Sequence, residues 1–424
     1  MTTTPSADAV APADAHAPTG FRRLVSLMGW PYFVASAASR LPQSMLTIGA
    51  LTYVASGADD FTTPGAVAAI AGVGVGLGAP IMGAASDRWG QRKVLLASTV
   101  AYVLTLVGLL WAGSPRDGAP VVLDLPLVGF AVLAGMVVPQ IGPMTRVRWM
   151  RRLTGARDRS SVDLAMGYES TVDEMGYVFG PALVGIVAAA AGAPIPLVIA
   201  GVLAMLAVPA FAFDRSSAAG APLRHEEATG VAGPTRMSLG FMALSIAGML
   251  GIGTVIGSLA TTMTVFADET GHPGTGGLIY AAMGITSGLA ALTVSRWPAR
   301  WGAAFRWVLC AALAVPATAL LLLPTEPWQM ALGMLAVGAP IGPILVTIFA
   351  ASGPRTPPAR LGLAMTLLSA AITLGTSVGN LLGGTVADGA GHRAALGVTV
   401  SAAGGLLVVG LLFALYVRRE HSRR

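Results

Sequence analysis

The sequence is poor in charge. Only 11% of its 424 residues are Asp, Glu, Lys or Arg, against 54% hydrophobic, whereas a soluble domain carries roughly 25% charged residues. That deficit, with a mean hydropathy of +0.71, excludes an ordinary water-soluble globule. Cysteine is reduced to Cys310, which excludes an internal disulfide. Lysine is reduced to Lys93 among 26 basic residues. The histidines His16, His225, His272, His392 and His421 fall in tails or loops, so no span holds an imidazole. Residues 1–20 lack the basic opening of a signal peptide and read as a disordered tail. No alternation of about 10 residues recurs, so a membrane barrel is excluded. Metal-ligand clusters, nucleophile triads and nucleotide loops are missing too. The ladder Gly72, Gly74, Gly76, Gly78 has no following lysine and sits inside an apolar run, where close helix packing explains it.

What remains is a series of long apolar runs. A span needs about 20 mostly apolar residues, and in lipid each backbone group must bond internally, which here means helices. Charged and Pro/Gly-rich breaks divide the chain into about twelve, the first near 28–55, the fourth near 126–145 and the fifth near 163–191. Basic residues set the orientation. With both termini cytoplasmic, every Lys and Arg outside the membrane falls on the cytoplasmic face except Arg116 and Arg393. The opposite face collects Asp59, Asp60, Asp117, Asp124, Asp268, Glu269 and Glu326. The net charge of +6 therefore reflects insertion and implies no nucleic-acid partner. Arginine in place of lysine, with abundant Ala and Gly, suggests a GC-rich bacterial genome, so the expected location is a bacterial cytoplasmic membrane.

The chain also repeats itself at a lag near 200. Ile141-Gly142-Pro143 returns as Ile341-Gly342-Pro343, and Gly176-x-x-x-Gly180-Pro181 as Gly375-x-x-x-Gly379-Asn380. A fainter pair is Asp87-Arg88-Trp89-Gly90 and Ala299-Arg300-Trp301-Gly302. The ordered agreement predicts two pseudo-symmetric six-helix bundles, 21–213 and 239–417. A cytoplasmic linker at 214–238 joins them, and a basic tail at 418–424 follows. Duplication of this kind places a substrate site between the halves near the midplane.

Between the second and third spans lies Gly83-Ala-Ala-Ser-Asp87-Arg88-Trp-Gly90-Gln-Arg92-Lys93. Its pattern, G-x-x-x-D-R-x-G-x-R-K, resembles the signature turn of the major facilitator superfamily. The resemblance implies an all-α fold of twelve transmembrane helices and transport by alternating access. Gly83 would let another helix approach, and Asp87 could face the positive end of a neighbouring helix dipole. The family nominates the eleventh helix, which begins near Arg360. Arg88 or Arg92 could pair with Asp158 or Asp163. Together these would gate the cytoplasmic side; the alternative is that the charges only fix topology.

The fifth span carries Gly176-Tyr-Val-Phe-Gly180-Pro181-Ala-Leu-Val-Gly185. It is similar to the helix-bend motif of proton-coupled drug antiporters, with Val184 in place of one glycine. That implies a bend at the interface between halves and an exporter; ordinary small-residue packing is the alternative. Upstream lie Glu169, Asp173 and Glu174, the first two on one helical face. Arg40 is mid-way along the first span, where an arginine costs roughly 2.5–3.5 kcal/mol. Arg40 and at least one acid are therefore expected to pair or face a wet cavity, as a proton carrier or as a fixed structural pair. Asp173 is the first candidate for proton coupling and Glu174 the second. Glu169 could instead be hydrated near the cytoplasm.

Gln43, Gln140 and Asn380 are candidates to line the substrate cavity. Aromatics at 6% are too few for the stacking that sugar sites use, which favours an amphiphilic or drug-like substrate. The sequence thus predicts a transporter, not an enzyme, acting as a monomer without cofactor. It would export a small amphiphilic molecule at the expense of the proton gradient. An importer of a sugar or small metabolite is the alternative, and a non-transporting membrane enzyme or sensor has no motif behind it.

Overall fold

The computed structural model describes residues 20–59, 62–115, 120–153, 159–220, 237–272, 275–298 and 300–422. Among these residues there are helices and turns and no strands. Ten helices are long and apolar enough to cross a membrane, from Thr63–Trp89 to Gly389–Glu420. Two further membrane helices fall short of that standard, and each carries buried charge, Arg40 in one and Asp163 and Glu169 in the other. The first is interrupted; the fifth, Arg159–Ala191, is apolar only over Phe179–Ala191. Among the described residues this makes twelve membrane helices, six before the 214–238 connection and six after it.

Proline and glycine set the breaks. The first helix was expected to run unbroken over 28–55, but it splits into Trp30–Ala38 and Leu41–Ala55. Pro42 has no N–H to offer the preceding turn, so the ladder lapses at Ser39 and Arg40. A short amphipathic helix, Phe21–Met28, precedes it and ends at Gly29, whose φ is 81°. The fourth helix likewise divides at Val138-Pro139-Gln140 into Leu125–Val137 and Ile141–Leu153. Its second piece reaches past the expected end at 145. Arg146 and Arg148, assigned from sequence to a cytoplasmic loop, are therefore helical and buried. Arg306 is a second correction of the same kind: it lies in Ala303–Leu320, 2% exposed. The eleventh and twelfth helices meet at Gly391 (φ 78°) within Leu361–Ser422, so the basic C-terminal segment begins as a continuation of the last helix. Of the expected tail at 1–20 and linker at 214–238, residues 1–19 and 221–236 lie outside the described residues.

The basic residues Arg88, Arg92 and Lys93 mark one end of the bundle, with Arg151, Arg152, Arg296, Arg355 and Arg360; we call it the basic end. The halves meet there. The second helix lies against the eleventh through Gly76 on Leu374 and Gly83 on Thr366. The fifth lies against the eighth (Gly276–Thr293) through Gly167 on Ala291, and Thr171 donates to the Gly288 carbonyl at 3.1 Å. Met150 of the fourth helix covers Gly353 beyond the tenth (Pro327–Ser352). The glycine ladder is packing, as expected, with a face for each half. Gly74 and Gly78 touch the fourth helix, while Gly72 and Gly76 turn to Ser377 and Leu374 of the eleventh.

Candidate functional site

Gly90 ends the turn after the second helix with φ 86°, a backbone conformation that favours glycine. The turn aims Asp87 at the start of the eleventh helix. Its Oδ1 and Oδ2 accept from the backbone N–H of Gly362 and Leu363, each at 2.9 Å. Those are free donors of a first turn, so the carboxylate meets both the orphan N–H groups and the dipole. Gly83, one turn earlier, has no room for a Cβ beside Thr366 and the Gly362 carbonyl. The contact expected for Asp87 is thus present, across the two halves.

The expected partners of Arg88 and Arg92 differ. Arg92 stacks on Phe213 (3.8 Å to the ring centroid) and Arg88 approaches Trp89. Asp87 has Arg151 at 3.7 Å. Asp163 pairs with Arg306 of the ninth helix at 2.6 Å, buried, as a second bridge between halves. Asp158 lies outside the described residues. Sequence distance misled here: Asp163 sits one helical turn inside the fifth helix, facing the other half.

The membrane charges form one cluster. The lapse in the first helix turns Arg40 towards the fourth and fifth helices, where it is 6% exposed. It donates to Ser36 Oγ (3.0 Å) and Thr145 Oγ1 (2.8 Å), and pairs through Nη2 with Glu169 and through Nε with Asp173 (2.8 Å). Glu169 is fully buried rather than hydrated. Besides Arg40 it accepts from Thr145, from Tyr32 at 3.0 Å and from Trp149 at 2.6 Å. Asp173, with a side chain 27% exposed, also meets Arg146 Nη2 at 2.7 Å. The Arg146 guanidinium in turn lies 3.9 Å over the ring of Phe349, on the tenth helix of the other half. Two cations and two carboxylates balance, which is what a low-dielectric interior demands. The side chain of Glu174 lies outside the described residues.

Sequence reasoning missed Tyr32, Thr145, Arg146 and Trp149. A signal existed for one: four arginines within Ile141–Leu153 cannot all face water from one helix. Among the remaining candidates, Gly180 comes hard against Ser44 of the first helix, beside Pro181, within the first half. Gly185 is exposed and Gly176 is buried, and a Cβ added at either would touch nothing within 4 Å. The helix-five glycine that touches the other half is Gly167. Gln140 is 1% exposed and donates to the Val138 carbonyl at 3.3 Å, enclosed at the helix break. Gln43 is half-buried, and Asn380 is exposed and accepts from Thr261 at 3.1 Å.

Twelve helices in two joined halves, with buried charge near their contact, define a multi-pass membrane carrier rather than an enzyme. The chain belongs to the Major Facilitator Superfamily, whose family model matches residues 32–352 and 247–424. Solved structures of the same fold include the human organic anion transporter MFSD10 (TETRAN). It is 16% identical with a TM-score of 0.67, covering 92% of this chain and 99% of that one. A bacterial homologue of the iron transporter ferroportin, in an outward-facing state, is 15% identical with a TM-score of 0.68, covering 90% and 98%. At such identities the likeness is one of fold. A comparison with curated protein sequences gave no match.

Proposed function

We propose that the chain is a proton-coupled secondary transporter of a small molecule, with Asp173 carrying the proton. The observation behind this reading is that Asp173 is the acid of the charged cluster with exposed side-chain surface, 27%, while its neighbour Glu169 is sealed. Segments 21–213 and 239–417 act as the two moving halves and 214–238 as their linker. The basic end is the cytoplasmic one, with both termini there, in a bacterial cytoplasmic membrane; the chain works as a monomer. With the basic end closed by Asp87 and by the Asp163–Arg306 pair, access to the cluster is from the opposite end. Opening to the cytoplasm requires these bridges to break.

Two modes of coupling are available to such a site. Export of an amphiphilic compound in exchange for protons is favoured by the Gly176–Gly185 stretch, whose Gly180 seats the fifth helix on Ser44. Cotransport is favoured by the two arginines that hold Asp173. The test of the common premise uses membrane vesicles with a fluorescent pH reporter and a panel of candidate compounds. Substrate-triggered proton movement is expected in the wild type and lost in Asp173→Asn. A compound that moves without protons, or coupling unchanged in the variant, would sink the assignment.

A further inference from the structure

The two carboxylates of the cluster are held in unlike ways. Glu169 is surrounded by Tyr32, Thr145 and Trp149 besides its arginine, although the Thr145 hydroxyl is shared with the Gly142 carbonyl. Asp173 is described with guanidinium contacts alone, one to Arg40 and one to Arg146. It reaches them from the edge of the cluster that solvent touches. Arg146 meanwhile uses only Nη2 on Asp173; its Nε is buried and has no hydrogen-bond partner among the described residues. A guanidinium edge presents Nε and an Nη in parallel, the fork that a carboxylate or similar oxyanion fills with two bonds. Asp173 fills half of it.

We propose that the substrate carries a compact anionic group, of the carboxylate kind, that takes the place of Asp173 on Arg146 and Arg40 while Asp173 accepts a proton. This rests on Asp173 as the proton carrier. The charge balance follows directly. Arg40, Arg146, Glu169 and Asp173 together sum to zero, and Arg148, buried nearby and acting on Glu169, keeps its charge throughout. A proton on Asp173 alone leaves one guanidinium uncompensated, and an anion alone leaves a surplus negative charge. The two together restore zero, so each favours the binding of the other. Groups facing Asp173 are Arg40 from the first helix, Arg146 from the fourth, and Tyr168 and Glu169 from its own. From the second half comes the uncharged ring of Phe349, behind Arg146. Proton and substrate therefore travel in the same direction, and the site is one for cotransport of an anion.

The test is calorimetry on the purified full chain with benzoate, succinate and benzenesulfonate, using benzamide and benzylammonium as neutral and cationic controls. At least one anion is expected to bind, taking up about one proton. Its affinity should rise about tenfold per pH unit lowered, through the range where that proton is taken up. Asp173→Asn should bind the same anion without pH dependence, and Arg146→Gln should not bind it. Asp173→Asn keeps both arginines, so a folded variant with pH-independent binding separates coupling from collapse. Binding of a control in preference to the anions, proton release on binding, or no binding by any of the three anions would overturn the proposal. If the anions fail while Asp173→Asn still abolishes proton movement in vesicles, the proton carrier stands and the substrate class falls.

Discussion

In the first half the buried interior holds Arg40, Arg146, Arg148, Asp163 and Glu169. In the second, Arg306 is the buried ionised residue among those described, and the other buried polar groups include Ser245, Ser258, Thr262 and Thr399. The scaffold is duplicated all the same. Gly74 and Gly78 seat the second helix on the fourth, and in the corresponding pair of the other half Gly338 and Gly342 seat the tenth on the eighth with equal closeness. Small residues that allow backbone approach have survived in both copies, since packing without a hydrophobic drive depends on them. Charge has not. Rocking needs two similar scaffolds, but a coupling site needs only one set of ions and a neutral partner to press against.

Three substitutions and one control probe that difference. The largest effect is expected from Glu169→Gln, which leaves Arg40 buried without its sealed counter-charge. Breaking a buried pair on one side costs about 3–5 kcal/mol, so folded yield and thermal stability should fall sharply. Ser258→Ala, which removes a neutral bond to Thr399 worth about 1 kcal/mol, should be mild. Equal losses would mean that the charge asymmetry is irrelevant to folding. Next comes Asp87→Asn, which keeps at most one neutral bond at the start of the eleventh helix in place of two charge-assisted ones, because its NH2 cannot accept from a backbone N–H. A loss of about 1.5–3 kcal/mol should shift the population tenfold or more towards opening at the basic end. Maleimide labelling of Thr171→Cys in a Cys310→Ala background reads it; unchanged labelling would deny that Asp87 is a latch. The smallest is Phe349→Leu, which removes the second half's ring from Arg146. Cation–π contacts are worth about 0.5–2 kcal/mol, so proton-coupled flux should drop several-fold with stability kept. No drop would mean that the neutral half does not sense the cluster through this contact.

Much of the fold was legible. Apolar runs marked the helices because lipid leaves the backbone no other choice. The turn at Gly83–Lys93 marked Asp87 as a carboxylate for a helix start, and the family resemblance, not a local feature, named the eleventh helix, 275 residues away. The breaks at Arg40 and Gln140 were written in Pro42 and Pro139, yet reading the spans by hydropathy passed over them. The site was less legible. Asp173 and Glu169 share a helical face, and nothing in their spacing says that one is sealed and the other reached by solvent. Arg146 was hidden among arginines that a charge count assigns to a loop. Asp163 was matched to the wrong half because sequence neighbours look nearer than partners 143 residues away.

By itself, then, the sequence determined the membrane, the helices and the duplication, since each follows from composition or from patterns along the chain. Tertiary structure decided which arginine faces which acid, which carboxylate stays open, and at which end the halves close. Those depend on four helices converging on one point, and the burial they create comes from neighbours that no local pattern names.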